Sequence, residues 1–395
     1  MAEINKVKTA VVGCGMISTI YLKNMINLFS IIDVVAVCDL NVENAKKQAE
    51  QFNIPNILTL EEVCASEEIE MVVNLTGPAA HYKVIKQLLE AGKHVFTEKL
   101  LCFDVEQGKE LVAIANEKNL YLGVAPDTFL GAGLQTARKV IDSGLIGKPT
   151  SCVAAINRNQ ALNSEGYPYI RYTGGSFPYD IGVYYMTALL SLMGPVKKIA
   201  GFAAPAPTHE GRMFWNGNYG ESWDLTGNNI QSGSLLFENG VLGSIHFDGT
   251  SIDEEHPHMV IYGTEGMLYL GDPNCFNGYV KLVRSGSEPT KIPFTHGYKG
   301  SPHFGEPEGF TSGGHRGVGA AEMAWSIRLG RPHRASKEMG LHTLEVLAGL
   351  DVASKEEKVY NMTTTFELPR ALPTGYYTME MYGFLRADAE ISLTK

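Results

Sequence analysis

Long hydrophobic runs are missing from this chain. No stretch of about 18 consecutive apolar residues occurs, which argues against a helical membrane span. The first residues, Met1-Ala2-Glu3-Ile4-Asn5-Lys6, lead into a strand without the basic-then-apolar pattern of an export signal. Positive charge is scarce. Lys and Arg number 33 against 43 Asp and Glu, a net charge of −10, and no basic stripe is interleaved with aromatics, so nucleic acid is not the expected partner. Cysteines are few and scattered: Cys14, Cys38, Cys64, Cys102, Cys152 and Cys275 show no paired metal-ligand spacing. They read as reduced thiols of a cytoplasmic protein that holds no metal. Cys14 reads as a small residue filling a tight turn; a reactive thiol there would need a lowered pKa. His256 and His258 flank Pro257, but no third ligand accompanies them.

What is present points to two domains, since 395 residues exceed a comfortable single core. Val7–Val12 is a β-branched run ending at Gly13-Cys14-Gly15-Met16-Ile17-Ser18, and a helical pattern follows through Tyr21, Leu22, Met25 and Leu28. In a strand–turn–helix unit Gly13 permits the tight turn. Gly15 admits a pyrophosphate, and the helix N-terminus offers it unpaired N–H groups. Ser18 stands at the usual third glycine and is still small. The next run, 34–38, ends at Asp39, close to the place of a ribose-binding carboxylate about 20 residues on. A carboxylate repels a 2′-phosphate, so NAD is expected over NADP. Asp39 is also a candidate N-cap for the helix 42–52.

Strands at 71–75, 94–97 and 120–124 alternate with helices at 81–91 and 105–116. This pattern predicts a doubly wound parallel sheet. Thr76-Gly77-Pro78-Ala79-Ala80-His81 and Glu98-Lys99 both fall at carboxyl ends of strands, where ligands of such sheets bind. Beyond residue 127 come a helix at 134–143, a strand at 150–157 and a polar, aromatic loop over 159–175 with Tyr167, Tyr169, Arg171 and Tyr172. Rings there suit either sugar faces or loop packing. A helix over 180–193 would place Asp180 and Tyr184, spaced i and i+4, on one face. Strands at 199–203, 233–237, 241–247, 258–263, 267–270 and 280–283 read as an antiparallel meander. His315-Arg316-Gly317 precedes a helix through Ile327 and is within reach of the substrate, and a last helix spans 337–353.

The glycine turn, Asp39, the Thr76 to His81 turn, Glu98-Lys99, Gly147-Lys148-Pro149, Asp180-Ile181-Gly182-Val183-Tyr184, Gly263-Thr264-Glu265-Gly266 and Gly330-Arg331-Pro332-His333-Arg334-Ala335 occur in order. Together they resemble the glucose–fructose oxidoreductase / inositol dehydrogenase / MocA (Gfo/Idh/MocA) family from about Val7 to Ala353. Tyrosine at 184, where many members have His, is similar to the branch containing dimeric dihydrodiol dehydrogenase. Leu100 replaces the family's Pro after Glu-Lys, so the peptide before it is either trans or held cis by packing.

The resemblance implies an α/β protein: an N-terminal NAD(P)-binding Rossmann domain, 1–127, and a substrate-binding and oligomerisation domain, 128–395, with a large, open, mostly antiparallel sheet that builds a homodimer or homotetramer. It implies a cofactor held by Gly13, Cys14, Gly15, Met16, Ile17, Asp39, Thr76, Gly77, Pro78, His81, Glu98, Lys99 and Asp127. A sugar, glycoside or cyclic polyol would be held by Lys99, Arg158, Tyr172, Asp180 and Tyr184. The expected reaction is hydride transfer between nicotinamide and a carbinol carbon. Tyr184 would take the hydroxyl proton, Lys99 would lower the phenol's pKa or be the base itself, and Asp180 would orient substrate or lysine. A redox-assisted glycosidase or lyase with retained NAD, and a non-catalytic NAD or sugar sensor, are the alternatives.

Overall fold

The computed structural model describes residues 4–172, 174–251, 258–299 and 314–375. Its first sheet has six parallel strands: β1 (Val7–Val12), β2 (Ile32–Cys38), β3 (Asn56–Ile57), β4 (Met71–Asn74), β5 (His94–Thr97) and β6 (Leu122–Val124), in the order β3-β2-β1-β4-β5-β6. This is the doubly wound order of dinucleotide-binding folds, with its switch point between β1 and β4. Helices α1 (Ser18–Asn27), α2 (Val42–Phe52), α3 (Leu60–Ala65), α4 (His81–Glu90) and α5 (Val105–Glu117) make the crossovers. β1 and β4 are buried along most of their length because helices cover both faces. The register decides where the loops emerge. Val12 pairs with Cys38 and Asn74, and Asn74 pairs with Thr97. The glycine turn, Asp39, Thr76 and Glu98-Lys99 therefore leave the sheet at one edge.

The second sheet has nine strands, in the spatial order 290–291, 280–284, 266–270, 258–263, 149–157, 242–248, 228–237, 196–205 and 360–361. All its pairings are antiparallel except 149–157 with 242–248, which is parallel. Four larger helices accompany it: α6 (Ala132–Asp142), then, after a short α7 (Gln160–Gly166), α8 (Val183–Met193), α9 (Val318–Leu329) and α10 (Lys337–Glu356). Every residue of α8 is buried, as its nearly uninterrupted apolar sequence requires.

Two expectations need correction. The segment 159–175 is not all loop: Asn159 caps Leu162 N–H and starts α7. The α-helix does not begin at Asp180. Pro178 cannot donate a backbone hydrogen bond, and residues 178–182 form a π-helical turn before α8. Gly194, at φ +86°, ends α8 as expected.

The chain then returns to the first sheet. Val124 N–H donates to Ala335 O at 2.9 Å. A Cβ at Gly319 would lie 2.7 Å from the Phe96 ring, so α9 sits directly on β5. This return brings Arg316 to the edge where the nucleotide-domain loops end. No helix among the described residues is long and apolar enough to cross a membrane.

Candidate active site

The cradle at the switch point is built from backbone. Gly13 has φ +99°, and a Cβ there would stand 2.5 Å from Leu75 C, so only glycine fits between the two loops. Gly15 has nothing within 4 Å of its Cβ position, leaving open space over the start of α1. That helix has no side-chain N-cap and no acid in its first turn. Apart from Ser18 N–H, which donates to Gly15 O at 3.1 Å, no capping side chain competes with an anion there, which fits a pyrophosphate. Met16 and Ile17 are exposed beside this opening. Asp39 Oδ2 accepts from Cys14 N–H at 2.7 Å and Oδ1 from Asn41 N–H at 2.8 Å. Asn41, not Asp39, caps α2, because its side chain reaches Glu43 N–H. Burial first and Asp39 second push the Cys14 thiol up to about 12, the opposite of a reactive cysteine.

Lys99 stands at the carboxyl end of β5. The Lys99-Leu100 peptide is cis. Lys99 Nζ reaches Asp180 Oδ1 at 2.5 Å and Asp180 O at 3.0 Å, and lies 5.7 Å from the centre of the Tyr184 ring. Burial, the largest single influence, draws the ammonium down, but Asp180, Tyr184, Glu98 and Tyr169 together outweigh it and the net shift is upward. Asp180 Oδ2 accepts from Gln160 Nε2 at 3.0 Å, so the acid is held from both sides. The side chains of Lys99 and Asp180 keep 18% and 7% exposure. Lys99, Asp180 and Tyr184, 85 residues apart at the extremes, are thus brought together.

Tyr184 has a second cation. Arg316 Nη2 donates to its hydroxyl at 3.2 Å, and the guanidinium carbon is 5.0 Å from the ring centre. Arg316 also donates to Asn274 Oδ1 at 2.7 Å and approaches Asp127 Oδ1 at 3.8 Å. Burial raises the Tyr184 phenol; Arg316 first, then Lys99, draw it back.

The remaining predicted residues divide by accessibility. Gly77 is exposed, and Thr76 and Pro78 are half-buried. His81 is fully buried, and its ring links Leu100 O (2.5 Å) to Thr76 O (2.9 Å), tying the two loops together. Glu98 is turned inward to Tyr21, whose hydroxyl donates to it at 2.6 Å. Asp127 is fully buried, and its Oδ2 accepts from Gly317 and Gly319 N–H at the start of α9. Arg158 lies 3.6 Å from Asp272. Tyr172 is 65% exposed. Tyr169, rather than Tyr172, is the loop tyrosine that feels Asp180 and Lys99; burial first and Asp180 second push its phenol up to about 12. His258 is exposed at its strand start, and His256 lies outside the described residues. Gln160 and Asn274 had no signal in the sequence. Arg316 had one only as part of the segment before α9.

A dinucleotide-binding sheet joined to a large mixed sheet, with a lysine at the seam, defines the class, and comparison with known proteins gives the family. Residues 7–125 match "Oxidoreductase family, NAD-binding Rossmann fold", and residues 134–269 match "GFO/IDH/MocA C-terminal domain". The chain belongs to the Gfo/Idh/MocA oxidoreductase family. It is 30% identical over 195 residues to an uncharacterized oxidoreductase of Schizosaccharomyces pombe, covering 48% of this chain and 52% of that protein. It is 32% identical over 155 residues to inositol 2-dehydrogenase/D-chiro-inositol 3-dehydrogenase of Lactiplantibacillus plantarum, covering 38% and 43%. These matches span about half the length of the relatives or less. Levoglucosan dehydrogenase in complex with NADH and L-sorbose superposes with a TM-score of 0.78 at 17% identity, covering 91% of this chain and 99% of that one. At that identity the likeness is one of fold.

Proposed function

We propose that this protein is an NAD-dependent dehydrogenase that transfers hydride between nicotinamide and a carbinol carbon of a sugar, glycoside or cyclic polyol. The observation that carries the reading is the convergence of Lys99, Asp180 and Tyr184 at the carboxyl edge of the dinucleotide-binding sheet. A bound NAD would supply the hydride acceptor. Oxidising a carbinol also requires removal of its hydroxyl proton, and Tyr184 takes it. Lys99 holds the hydroxyl and stabilises the developing alkoxide. Asp180 fixes the ammonium, and Gln160 fixes Asp180. Gly13 to Ile17, Asp39 and the Thr76-Gly77-Pro78 turn hold the cofactor. His81, Glu98 and Asp127 support this wall from behind, while Arg158 and Tyr172 border the substrate.

NAD is preferred to NADP because Asp39 presents a carboxylate at the end of β2. The inositol dehydrogenase relative and the levoglucosan dehydrogenase neighbour support a polyol or sugar as the substrate class. Tyr184 supports a tyrosine-type branch, with dimeric dihydrodiol dehydrogenase, as the chain's position within the family. The functional division runs at residues 127/128. Phe202 and Leu242, both exposed on strands of the nine-stranded sheet, support a homodimer or homotetramer through it.

The test is a spectrophotometric panel of free sugars, glycosides, inositols and aromatic diols with NAD and with NADP. Substrate-dependent NADH formation is expected. NADH binding without turnover on any member would overturn the reading. Turnover with no net nicotinamide change would replace it with redox-assisted elimination.

A further inference from the structure

We infer that Arg316, rather than Lys99, is the principal cation that sustains a phenolate on Tyr184. The inference rests on the reading of Tyr184 as proton acceptor and adds to it a positioning residue that acts through the phenol.

The geometry separates the two cations. Arg316 Nη2 is in hydrogen-bond contact with the Tyr184 oxygen at 3.2 Å. Lys99 Nζ lies over the ring, 5.7 Å from its centre. Their counterions differ more sharply. The Lys99 charge is matched by Asp180 at 2.5 Å. An ammonium paired that closely exerts a much reduced field on a third group, because the carboxylate acts in the opposite sense. Among the described residues Arg316 has no such close anion. Its closest acceptor, Asn274 Oδ1 at 2.7 Å, is neutral. Asp127 Oδ1 stands at 3.8 Å, and among the described residues neither that oxygen nor Arg316 Nη1 has a hydrogen-bond partner. Asp127 is committed through Oδ2 to Gly317 and Gly319 N–H. Burial first also raises the Asp127 carboxyl, to about 6, against the pull of Arg316.

The surroundings of Tyr184 are otherwise acidic or phenolic. Glu98 after β5 and Asp180 in the π turn both disfavour a phenolate, and Asp180 also raises Tyr169 on the aromatic loop. Arg316, ahead of Lys99, is therefore the main group that offsets them. It is 4% exposed, its main-chain oxygen is held by Asn24 Nδ2 at 2.9 Å, and its guanidinium is held by Asn274 Oδ1 at 2.7 Å, so backbone and side chain are both pre-positioned.

The experiment reads Tyr184 directly. The full chain is labelled with 13Cζ-tyrosine, and its NMR spectrum is followed against pH with and without NADH; Tyr184→Phe identifies the resonance. Arg316→Gln is expected to move the Tyr184 ionisation upward by about one to three pH units. Arg316→Lys, which keeps the charge but not the fork, should move it upward by less. The double variant Lys99→Gln/Asp180→Asn removes the matched pair together and should move it less than Arg316→Gln does. With a turned-over substrate, the rising limb of turnover against pH should shift with Arg316→Gln by the same amount. An unmoved resonance in the Arg316 variants, or a larger shift in the double variant, overturns the inference. If Arg316→Gln does not fold, Arg316→Lys decides alone: no upward movement rejects it. Full turnover in Tyr184→Phe would instead remove the reading of Tyr184 as acceptor, a failure distinct from the NMR result.

Discussion

Asp180→Asn isolates the ion pair at the centre of the site. The substitution keeps the side chain's shape and a neutral amide oxygen but removes the charge facing Lys99 Nζ at 2.5 Å; the residue's main-chain oxygen, at 3.0 Å, stays as a second neutral acceptor. Leaving one member of a fully buried pair uncompensated costs about 3–5 kcal/mol. Lys99 keeps 18% of its side chain exposed, so some water reaches it. A loss of roughly 2–3 kcal/mol is the expectation.

The pH dependence has a definite sign. In the wild type burial lowers the Lys99 pKa but Asp180, with Tyr184, Glu98 and Tyr169, more than offsets it, so the folded-state value lies above the unfolded value of about 10.4. The stabilisation is fully present below about pH 10 and is lost only as pH rises through the higher folded value. In the variant the largest raising contribution is gone while burial remains, so the folded value falls below that of the wild type, and raising the pH through it relieves the penalty. The stability gap should be widest near neutrality and narrow toward pH 10. Urea unfolding at a series of pH values measures it. Equal midpoints at pH 7, or a gap independent of pH, would refute the argument.

Three further outcomes follow from the structure. Gly13→Ala puts a Cβ 2.5 Å from Leu75 C at φ +99°, so the cradle must shift; NADH affinity by fluorescence titration should fall ~5- to 30-fold, from a cost of about 1–2 kcal/mol. Asp39→Asn removes the carboxylate expected to repel a 2′-phosphate, and the ratio of NADPH to NADH affinity should rise ~10-fold or more in the same titration. Glu322→Gln leaves Arg331 and Arg334, now at 2.5 and 2.8 Å from Glu322, without their shared anion, at a cost of about 3–5 kcal/mol. Burial opposes the charge on Glu322, yet the two guanidinium groups hold its carboxyl at about 2. The wild-type advantage in urea unfolding should therefore be complete above about pH 4.3 and disappear as pH falls toward 2.

The local features of the fold were legible in the sequence. β-branched runs bounded by glycine, and helices with apolar periodicity, mark β1, β2, β4, β5 and β6 and nearly all strands of the second sheet. β3 escaped because two exposed residues, Asn56 and Ile57, carry no pattern. The parallel pairing of 149–157 with 242–248 escaped because strand order is a long-range property. The site divides the same way. Gly13, Asp39 and Lys99 follow from position at strand ends, whereas the i, i+4 argument for Asp180 and Tyr184 assumed an α-helix where a π turn stands. Arg316 meets Tyr184 across 132 residues, and Gln160 meets Asp180 from α7. Such contacts are set by how α9 returns to β5 and how the aromatic segment folds, which local periodicity does not encode.

The central claim is that Tyr184 and Lys99 perform the proton and charge work beside a bound nicotinamide. It is tested most directly by measuring turnover of a polyol or sugar with NAD in Tyr184→Phe and Lys99→Ala, alongside NADH binding. Loss of at least ~100-fold in turnover, with NADH affinity kept within a few-fold, is the predicted result. Turnover near the wild-type rate in both variants would contradict it.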